Sequence, residues 1–509
     1  MNCIFACLAR GPVRILRRNA VLTFVMVSGM TFCTLAGLSA SAATRVKTGS
    51  AGDWIRFGYE ASRRNVGPAL PGITRENVNS LAHRRVVLGG TVDSSPIYLR
   101  GATVRGRRRD VFIVTTSYGK AIAVEADSGA VLWQFIPPRY ETWAGSYRIT
   151  TASPVADPER RFVYSAAPDG FVYKLRITSG TSVHSGAWPV RVSHLPVREK
   201  ISSPLNIAGD RLLATTASFG DAGFYQGHLA VIDRHSGKLI RIWNALCSDM
   251  RRLIHPEACP WVGAGIWSRS GVIVQPGSGN LIVATGNGVW DGRMNWSNSV
   301  VMLSGNASHV IGSWTPVEWQ DLASLDLDVG STAPALLTDR LAVQGGKDGK
   351  LRLLDLGLLK GKAGAPARVL GKELQIIRPG GSHFATPAVW RSKGTTWMFV
   401  TSTSKLAAFT LTRKRLVERW SSPLAHFALG TSPVVAGGLL YVNNAAAGRL
   451  DVFAPTTGKL VARLPAGLGH WNSPIVSDGR IALGEGDANA QMTTGALNIY
   501  SLRTATRAR

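Results

Sequence analysis

Five side chains between positions 263 and 350 could do chemistry together if the fold brings them to one place. They are Trp267, Asn287 in the segment Ala284-Thr-Gly-Asn-Gly288, Asp326, Asp328 and Lys347. The set offers an indole ring, an amide, two carboxylates and an ammonium group. Each residue also has a structural interpretation: the tryptophan fills a core, the asparagine makes a turn between glycines, and the charged residues occupy loops. The elements that position them decide between these interpretations.

Other catalytic chemistries find little support in the sequence. It contains no Gly-x-Ser-x-Gly, no His-Glu-x-x-His and no phosphate-binding loop, which disfavours the enzyme classes that use those motifs. Charged residues make up 17% and aromatic residues 8%, so a large folded core is expected. The net charge of +27 could attract anionic partners. Those charges are scattered, and the densest run, at 105–109, is typical of a loop tip, so nucleic-acid binding is disfavoured.

The first 43 residues have the features of an export signal. Arg17 and Arg18 precede an apolar run at 21–38, and small residues at 39–43 suit cleavage. If the run is not cleaved, it is just long enough to act as an N-terminal membrane anchor. We therefore expect an exported protein, periplasmic or extracellular, that touches a membrane only through an uncleaved N-terminus. Residues 504–509 are expected to form a basic C-terminal tail.

The cysteines divide between the leader and one later loop. Three of them lie in the leader, and Cys247 and Cys259 are the two that remain in the mature chain. In an exported protein, an isolated pair at this spacing indicates a disulfide. A metal site is less favoured, because no second cysteine or histidine pair completes a tetrahedral ligand set.

From Asp93 onward the chain repeats one pattern. A Ser-Pro or Thr-Pro pair precedes an apolar β-rich run, a Gly turn, a second β-rich run, a Thr/Ser-x-Gly turn and often a tryptophan. The residues that mark the copies are Pro96, Pro154, Pro204, Ser270 (in a degenerate fourth copy), Pro334, Pro387, Pro433 and Pro474. Each unit has the length of one four-stranded antiparallel sheet. The repeat predicts an all-β fold, a single eight-bladed β-propeller over residues 53–503, with a pair of β-sandwiches as the alternative.

Two segments lie outside the repeat. We expect residues 55–57 to form a strand that completes the last blade, so that the two ends of the chain close the ring. The basic, Gly- and Ala-rich stretch at 360–379 is predicted to be an exposed loop.

The start of the mature chain resembles a known family. Asp53-Trp54, Thr74-Arg-Glu-Asn77 and Gly90-Thr-Val-Asp-Ser-Ser-Pro96 are similar to the segments that lead into blade one of the eight-bladed quinoprotein alcohol dehydrogenases. The resemblance extends over nearly the whole mature chain. It implies pyrroloquinoline quinone (PQQ) and calcium or a lanthanide at the propeller axis. The repeat itself is not specific to that function, because it also builds non-catalytic propellers, including an outer-membrane assembly lipoprotein.

The resemblance assigns two residues to the cofactor. Gly263-Ala-Gly-Ile-Trp267 resembles the family segment whose tryptophan forms the floor beneath the quinone, where a planar cofactor stacks on an indole. Lys347-Asp-Gly-Lys-Leu-Arg-Leu-Leu-Asp355 resembles the segment whose basic residue contacts the quinone oxygens. By this match Trp267 and Lys347 would bind PQQ, and Lys347 would stabilise developing negative charge.

The same resemblance assigns the metal and the catalytic base. The segment around Asn287 resembles the one whose amide oxygen coordinates the metal, and such oxygens suit a hard cation. Leu325-Asp-Leu-Asp328 resembles the segment whose first aspartate is the catalytic base and whose second accompanies lanthanide use. Asn287, Asp326 and Asp328 would thus hold the metal, and Asp326 would take the proton of an alcohol substrate.

Two departures from the family pattern separate the functional hypotheses. Ala222 stands where the family has a metal-binding glutamate, and its neighbour Asp221 is expected to point to the opposite face of a strand. The family's adjacent-cysteine disulfide is also missing. One hypothesis is an exported oxidoreductase that uses an alcohol-type small molecule and, lacking a haem motif, a separate electron acceptor. The other is a non-catalytic binding or scaffold propeller with a protein or polymer ligand.

Overall fold

The computed structural model describes residues 52–361, 365–425 and 431–502. The predicted export signal at 1–43 and the predicted tail at 504–509 lie outside the described residues. Within those residues, no helix is both long enough and apolar enough to cross a membrane. The predicted disulfide between Cys247 and Cys259 is confirmed, with an S–S distance of 2.09 Å and a Cα–Cα distance of 6.1 Å.

Short β-rich runs bounded by Gly and Asp turns give the chain its strands. The first eighteen are β1 (Ala82–Leu88), β2 (Ile97–Val104), β3 (Arg107–Thr115), β4 (Ala121–Glu125), β5 (Val131–Phe135), β6 (Val155–Ala156), β7 (Phe162–Ala166), β8 (Phe171–Arg176), β9 (Val190–Arg191), β10 (Glu199–Ile201), β11 (Asn206–Ala208), β12 (Arg211–Ser218), β13 (His228–Asp233), β14 (Leu239–Asn244), β15 (Ile273–Val274), β16 (Leu281–Ala284), β17 (Val300–Leu303) and β18 (Val310–Thr315). The remainder are β19 (Ala335–Leu336), β20 (Leu341–Gln344), β21 (Leu351–Asp355), β22 (Ala367–Leu370), β23 (Gln375–Ile377), β24 (Ala388–Ser392), β25 (Thr395–Thr401), β26 (Lys405–Thr412), β27 (Arg415–Pro423), β28 (Val434–Ala436), β29 (Leu439–Asn444), β30 (Arg449–Phe453), β31 (Leu460–Pro465), β32 (Ile475–Ser477), β33 (Arg480–Glu485) and β34 (Gly495–Ser501).

Helices are few and short among the described residues. The α-helix is α1 (Trp319–Ser324). The 3-10 helices are Val78–Ser80, Tyr140–Thr142, Pro256–Ala258, Val329–Ser331, Leu356–Leu359 and Ala445–Ala447. The fold class is therefore all-β.

The described strands form eight sheets, the predicted blades. Blade 1 is β2–β5, blade 2 is β6–β9, blade 3 is β10–β14, blade 4 is β15–β18 with β22, blade 5 is β19–β21 with β23, blade 6 is β24–β27, blade 7 is β28–β31, and blade 8 is β32–β34 with β1. Neighbouring strands are antiparallel apart from the β18–β22 pair. The predicted eight-bladed propeller of four-stranded blades is confirmed, with a fifth strand added to blades 3 and 4.

The markers of the repeat predict where each blade begins. Ile97 of β2 directly follows Pro96, and Ile475 of β32 directly follows Pro474. The apolar faces of adjacent blades then pack against each other; Ile113 of blade 1 and Val163 of blade 2, for example, share one core cluster. The cores therefore lie between blades, and residues just before each marker reach the centre of the ring.

The ring closes through β1, a different segment from the one predicted. This strand pairs with β34 from Ala82 opposite Ser501 to Leu88 opposite Gly495. The prediction that residues 55–57 form this strand was wrong. The neighbouring Trp54 makes an isolated bridge to Tyr98 of blade 1, in a segment too buried to act as an outer strand. The exposed, charged β1 suits that edge position.

The stretch at 360–379 was predicted to be an exposed loop, and this was wrong for two parts of it. Strand β22 runs parallel to β18, with Ala367 opposite Gly312. Strand β23 completes blade 5, with Ile377 opposite Leu351. Both strands are only three or four residues long, and the free backbone edges of blades 4 and 5 supply the pairing that their own sequence does not predict.

Tryptophans on outer strands join each blade to the next. The Trp133 indole nitrogen of blade 1 donates to the carbonyl of Ile177 in blade 2 at 2.8 Å. Its ring rests on Gly180, where a Cβ would lie 2.5 Å from the ring. Blades 6 and 7 repeat the contact, with Trp420 lying over Gly458. The Thr/Ser-x-Gly turn of the repeat is therefore a docking surface for the preceding blade.

Replacing Gly180 by Ala should destabilise the propeller more than replacing Gly209. Both glycines have positive φ, 74° and 61°, but nothing lies within 4 Å of a Cβ at Gly209. Gly209→Ala should cost roughly 1 kcal/mol of backbone strain, and Gly180→Ala about 1–3 kcal/mol more for displacing the Trp133 ring. Denaturant unfolding followed by circular dichroism measures both, and equal losses would contradict the docking role.

Candidate functional site

A cavity of about 300 Å³ lies where several blades meet. Its walls come from blades 2, 3, 4, 5 and 8, including Thr151, Lys200, Trp267, Lys347 and Trp471. So many blades can line one cavity only at the centre of the ring. The five residues singled out in the sequence all line it, namely Trp267, Asn287, Asp326, Asp328 and Lys347.

Glycines allow blades 4 and 5 to meet closely at this cavity. A Cβ at Gly330 would lie 2.5 Å from the backbone nitrogen of Gly286. A Cβ at Gly286 would in turn lie 3.3 Å from the Trp267 indole nitrogen and 3.4 Å from Asp328. The absence of side chains at both positions brings the Asp328 carboxylate of blade 5 beside the Trp267 ring of blade 4.

Lys347 connects the two aspartates. Its Nζ bonds to Oδ1 of Asp326 and, at 2.7 Å, to Oδ2 of Asp328. Oδ1 of Asp328 accepts from the Trp267 indole at 3.2 Å, and Oδ1 of Asp326 accepts from the Asn287 amide at 2.7 Å. The ammonium also lies 5.0 Å from the centre of the Trp267 ring, within cation–π range. All five side chains thus form one connected network.

Exposure separates the two aspartates. The Asp328 side chain is 1% exposed, whereas that of Asp326 is 65% exposed. Burial raises the pKa of Asp328, although Lys347 opposes the shift. Burial also works to lower the pKa of Lys347, but its bonds to both carboxylates outweigh that effect and leave the pKa above its ordinary value. Asp328 therefore anchors a charged lysine inside the protein, and Asp326 presents its carboxylate to the cavity.

The Asn287 side chain has a free acceptor. Its amide nitrogen is used by Asp326, while its buried Oδ1 has no hydrogen-bond partner among the described residues. A buried carbonyl oxygen without a hydrogen-bond donor lowers the stability of the fold unless a ligand satisfies it. This oxygen, close to the Asp326 carboxylate, is the type of donor that a hard cation binds.

Asp221 also lines the cavity, contrary to the prediction that it would point away. The alternation of side chains between the two faces of a strand does not apply to Asp221, because β12 ends at Ser218 and Asp221 lies in a turn with φ 56°. Its Oδ1 accepts from Ser218 Oγ at 2.9 Å and from Tyr225 Oη at 2.5 Å. Ala222 lines an adjoining cavity instead. The segment that lacks the family's glutamate still contributes one carboxylate.

The sequence interpretation missed three further residues of the cavity. The buried Arg269 guanidinium lies 3.7 Å from the centre of the Trp471 ring, and burial lowers the pKa of this arginine to about 9. Burial, with the nearby charge of Arg269, lowers the pKa of Lys200 to about 8. The Lys200 ammonium has no hydrogen bond or ion pair within the described part of the chain. Each residue lies a few positions before a marker residue, and that spacing was the available signal.

A second cavity of about 470 Å³ adjoins the first. Lys200 lines both cavities, and the second is walled by Tyr147, Val197, Arg198 and Phe219. The Tyr147 and Phe219 rings meet edge to face, with centroids 5.7 Å apart. The second cavity combines these apolar side chains with the cationic Arg198 and Lys200, so it suits a molecule with an apolar body and a negative group.

Comparisons with known proteins agree on the architecture. A family model described as outer membrane protein assembly factor BamB, of the PQQ-repeat type, matches residues 79–253. A search of curated proteins finds no match to the sequence. The quinohemoprotein alcohol dehydrogenase ADHIIG from Pseudomonas putida HK5 superimposes with a TM-score of 0.65 at 16% identity, covering 90% of this chain and 81% of that one.

A europium-containing methanol dehydrogenase gives a TM-score of 0.65 at 15% identity, covering 89% of this chain and 98% of that one. The fold is that of the quinoprotein dehydrogenases. The quinohemoprotein alcohol dehydrogenase from Comamonas testosteroni agrees, with a TM-score of 0.63 at 15% identity over 90% of this chain and 81% of its own. The resemblance inferred from the sequence is confirmed, and at identities of 15–16% it concerns the fold alone.

A buried glutamate next to Lys200 makes the stability of the fold depend on pH. Glu199 in β10 accepts from Ser193 Oγ at 2.6 Å and from the Gln226 amide at 3.0 Å. Burial raises the pKa of Glu199 from 4.5 to about 7. A raised acid pKa stabilises the fold fully below about pH 4.5, and that stabilisation is lost as pH rises to about 7.

Glu199→Gln should therefore flatten the pH profile of stability. In the wild type, Glu199 should lower the free energy of unfolding by roughly 3 kcal/mol between pH 4.5 and 7. Denaturant unfolding across this range should show a smaller decline in the variant. The exposed Glu141 provides the control, and Glu141→Gln should keep the wild-type profile; an unchanged profile in Glu199→Gln would refute the assignment.

The Lys347–Asp328 pair should show strong coupling in a double-mutant cycle. Lys347→Met leaves a buried carboxylate without its cation and should cost about 3–5 kcal/mol of unfolding free energy. Adding Asp328→Asn should recover much of that loss. Lys405→Met provides the control, because Lys405 pairs with Glu418 at 3.5 Å on a more open surface, and it should change stability by less than about 1 kcal/mol. Strict additivity of the two site variants would contradict the pairing.

Proposed function

We propose that this chain is an exported quinoprotein oxidoreductase that binds PQQ with a metal ion and oxidises an alcohol-type substrate. The observation that carries the proposal is the convergence of Trp267, Asn287, Asp326 and Lys347 in one central cavity. These residues are far apart in the sequence and come from two blades. A scaffold does not require an indole, an unsatisfied amide oxygen and an accessible carboxylate at the same place.

The residues present fit a hard metal ion. Asn287 offers an unsatisfied oxygen, Asp326 an accessible carboxylate, and Asp221 a further carboxylate on the cavity wall. Such an all-oxygen set suits calcium or a lanthanide. Both oxygens of Asp328 are engaged, one by Lys347 and one by Trp267. Asp328 would join the metal site only if Lys347 turned toward the cofactor.

The residues present also fit a planar anionic quinone. The Trp267 indole supplies an aromatic surface for stacking. Lys200, Arg269 and Lys347 line the cavity as cations, and the first two have donors without partners among the described residues. PQQ carries carboxylate groups, and charge-assisted hydrogen bonds to these cations would hold it. We assign Trp267 and Lys347 to the cofactor, with Lys200 and Arg269 as additional contacts.

Bound PQQ would supply the two-electron acceptor for alcohol oxidation. Asp326 takes the proton from the substrate hydroxyl onto its exposed carboxylate. Lys347, held in place by Asp328, keeps a positive charge beside that carboxylate and beside the Trp267 floor. The adjoining cavity receives the apolar body of the substrate. Because the sequence has no haem attachment motif, a separate carrier would remove the electrons.

Export is supported by the disulfide. Cys247 and Cys259 are joined in a loop after β14, and such bonds persist mainly in oxidising compartments outside the cytosol. We therefore place the protein in the periplasm or outside the cell, in agreement with the leader at 1–43.

A non-catalytic binding propeller is the second candidate. Lys347 already pairs with both Asp326 and Asp328, so these two carboxylates have a counterion without a metal. The match of residues 79–253 to the BamB family model also favours a partner-binding role, in which the ligand would be a protein or a polymer.

Calorimetry of the mature chain with PQQ and either calcium or lanthanum separates the two candidates. The oxidoreductase requires binding heat for PQQ with at least one metal, and turnover of an alcohol with an artificial dye acceptor. Absence of PQQ binding with both metals would eliminate it and leave the scaffold.

Asp326→Ala should abolish turnover while PQQ stays bound. Loss of a general base should lower kcat by at least about 100-fold, while calorimetry still reports PQQ. Asp321→Ala, which removes an exposed carboxylate on the neighbouring helix α1, should keep wild-type turnover. Unchanged turnover in Asp326→Ala would remove Asp326 from its role.

A further inference from the structure

Three metal-ligating side chains meet at the junction of blades 8 and 1, outside the site described above. Asp93 precedes β2, His470 precedes β32, and Asp487 follows β33. One ligand atom from each residue lies within 4.8 Å of the others. Asp93 and His470 are buried, at 1% and 7% exposure, and Asp487 is half-buried. The three residues come from segments that only the closed ring brings together.

The imidazole of His470 faces both carboxylates at distances longer than a hydrogen bond. His470 Nδ1 is 3.7 Å from Oδ2 of Asp93 and 3.9 Å from Oδ1 of Asp487, and both distances exceed a hydrogen bond. Within the described residues, neither His470 Nδ1 nor Asp93 Oδ1 has a hydrogen-bond partner. The buried Nδ1 therefore faces two carboxylate oxygens without a hydrogen bond, and such a group costs free energy unless a ligand uses its lone pair.

The separations suit a metal ion between the three residues. Two metal–ligand bonds of about 2.1 Å, at a tetrahedral angle or wider, place their ligand atoms about 3.4–4.2 Å apart. The two distances from His470 Nδ1 fall in that interval. One imidazole with two carboxylates matches divalent first-row transition metals such as zinc or manganese, and it departs from the all-oxygen sets of calcium.

Backbone contacts hold the carboxylates in position. Oδ2 of Asp93 accepts from the Ala488 amide at 3.1 Å, and Oδ1 of Asp487 accepts from the Asn489 amide at 2.8 Å. The Asn489 side chain meets His470 Nε2 at 3.2 Å. With Nδ1 bound to a metal, Nε2 carries the ring proton. A flip of the Asn489 side-chain amide would then let Nε2–H donate a hydrogen bond to its oxygen. Such a partner orients a histidine ligand.

We propose that Asp93, His470 and Asp487 form a binding site for one divalent transition-metal ion, separate from the PQQ and metal site. The ion ties the segment that opens blade 1 to two segments of blade 8. It also fixes Trp471, whose ring lies 4.3 Å from that of His470 and lines the central cavity. The site stands whether or not the chain binds PQQ.

Zinc binding to the mature chain without PQQ tests this proposal. Isothermal titration with Zn²⁺ should show one site per chain, and Zn²⁺ should raise the thermal midpoint. Asp487→Asn and His470→Ala should each weaken binding by at least about 100-fold. Addition of Co²⁺ to the metal-free chain should give visible absorption bands that His470→Ala removes.

A matched control separates this site from other sources of zinc binding. His235→Ala removes an exposed histidine that also pairs with an aspartate, at 3.0 Å, and should keep wild-type affinity. Absence of Zn²⁺ and Co²⁺ uptake by the wild type would show that the three side chains hold no transition metal, and would overturn the proposal. Folded Asp487→Asn with wild-type affinity would likewise overturn the proposal.

Discussion

Closure of the ring is the constraint on which the rest of the structure depends. A blade packs only against its two neighbours, so distances across the ring are set by the sum of many local contacts. The ladder between β1 and β34 fixes these distances, because it joins the first and last described strands of the propeller along the whole of β1. Lys200 of blade 3 and Trp471 of blade 8 can line the same cavity only in a closed ring.

The centre of the ring is a concentration of charge in a small space. Lys200, Arg269 and Lys347 face Asp221 and the aspartates at 326 and 328 around one cavity. Three cations and three carboxylates leave the cavity near neutrality. The cations can therefore bind an anionic group of a ligand, and the carboxylates can bind a cation. Lys347 compensates the buried Asp328, while the buried Arg269 lies over the Trp471 ring and near the charge of Asp93.

The sequence predicts the blades well because each begins at a Ser-Pro or Thr-Pro marker whose role is local. It also predicts which central residues converge, since Asn287 between glycines and the paired aspartates belong to recognisable segments. It does not predict β22 and β23, because their pairing depends on edges supplied by distant strands. Asp221 was misplaced for a related reason: the end of β12 at Ser218, which frees the turn, is set by tertiary contacts.

The parallel pairing of β22 with β18 has a mechanical consequence. Strand β22 lies between β21 and β23, which belong to blade 5, yet it extends the sheet of blade 4. The polypeptide therefore crosses between these two blades twice beyond their ordinary connection. Blade 4 carries Trp267 and Asn287, and blade 5 carries Lys347. Because β22 is paired in blade 4 while the strands before and after it belong to blade 5, these two blades can separate only if the β18–β22 pairing breaks, and this ties together the two halves of the constellation.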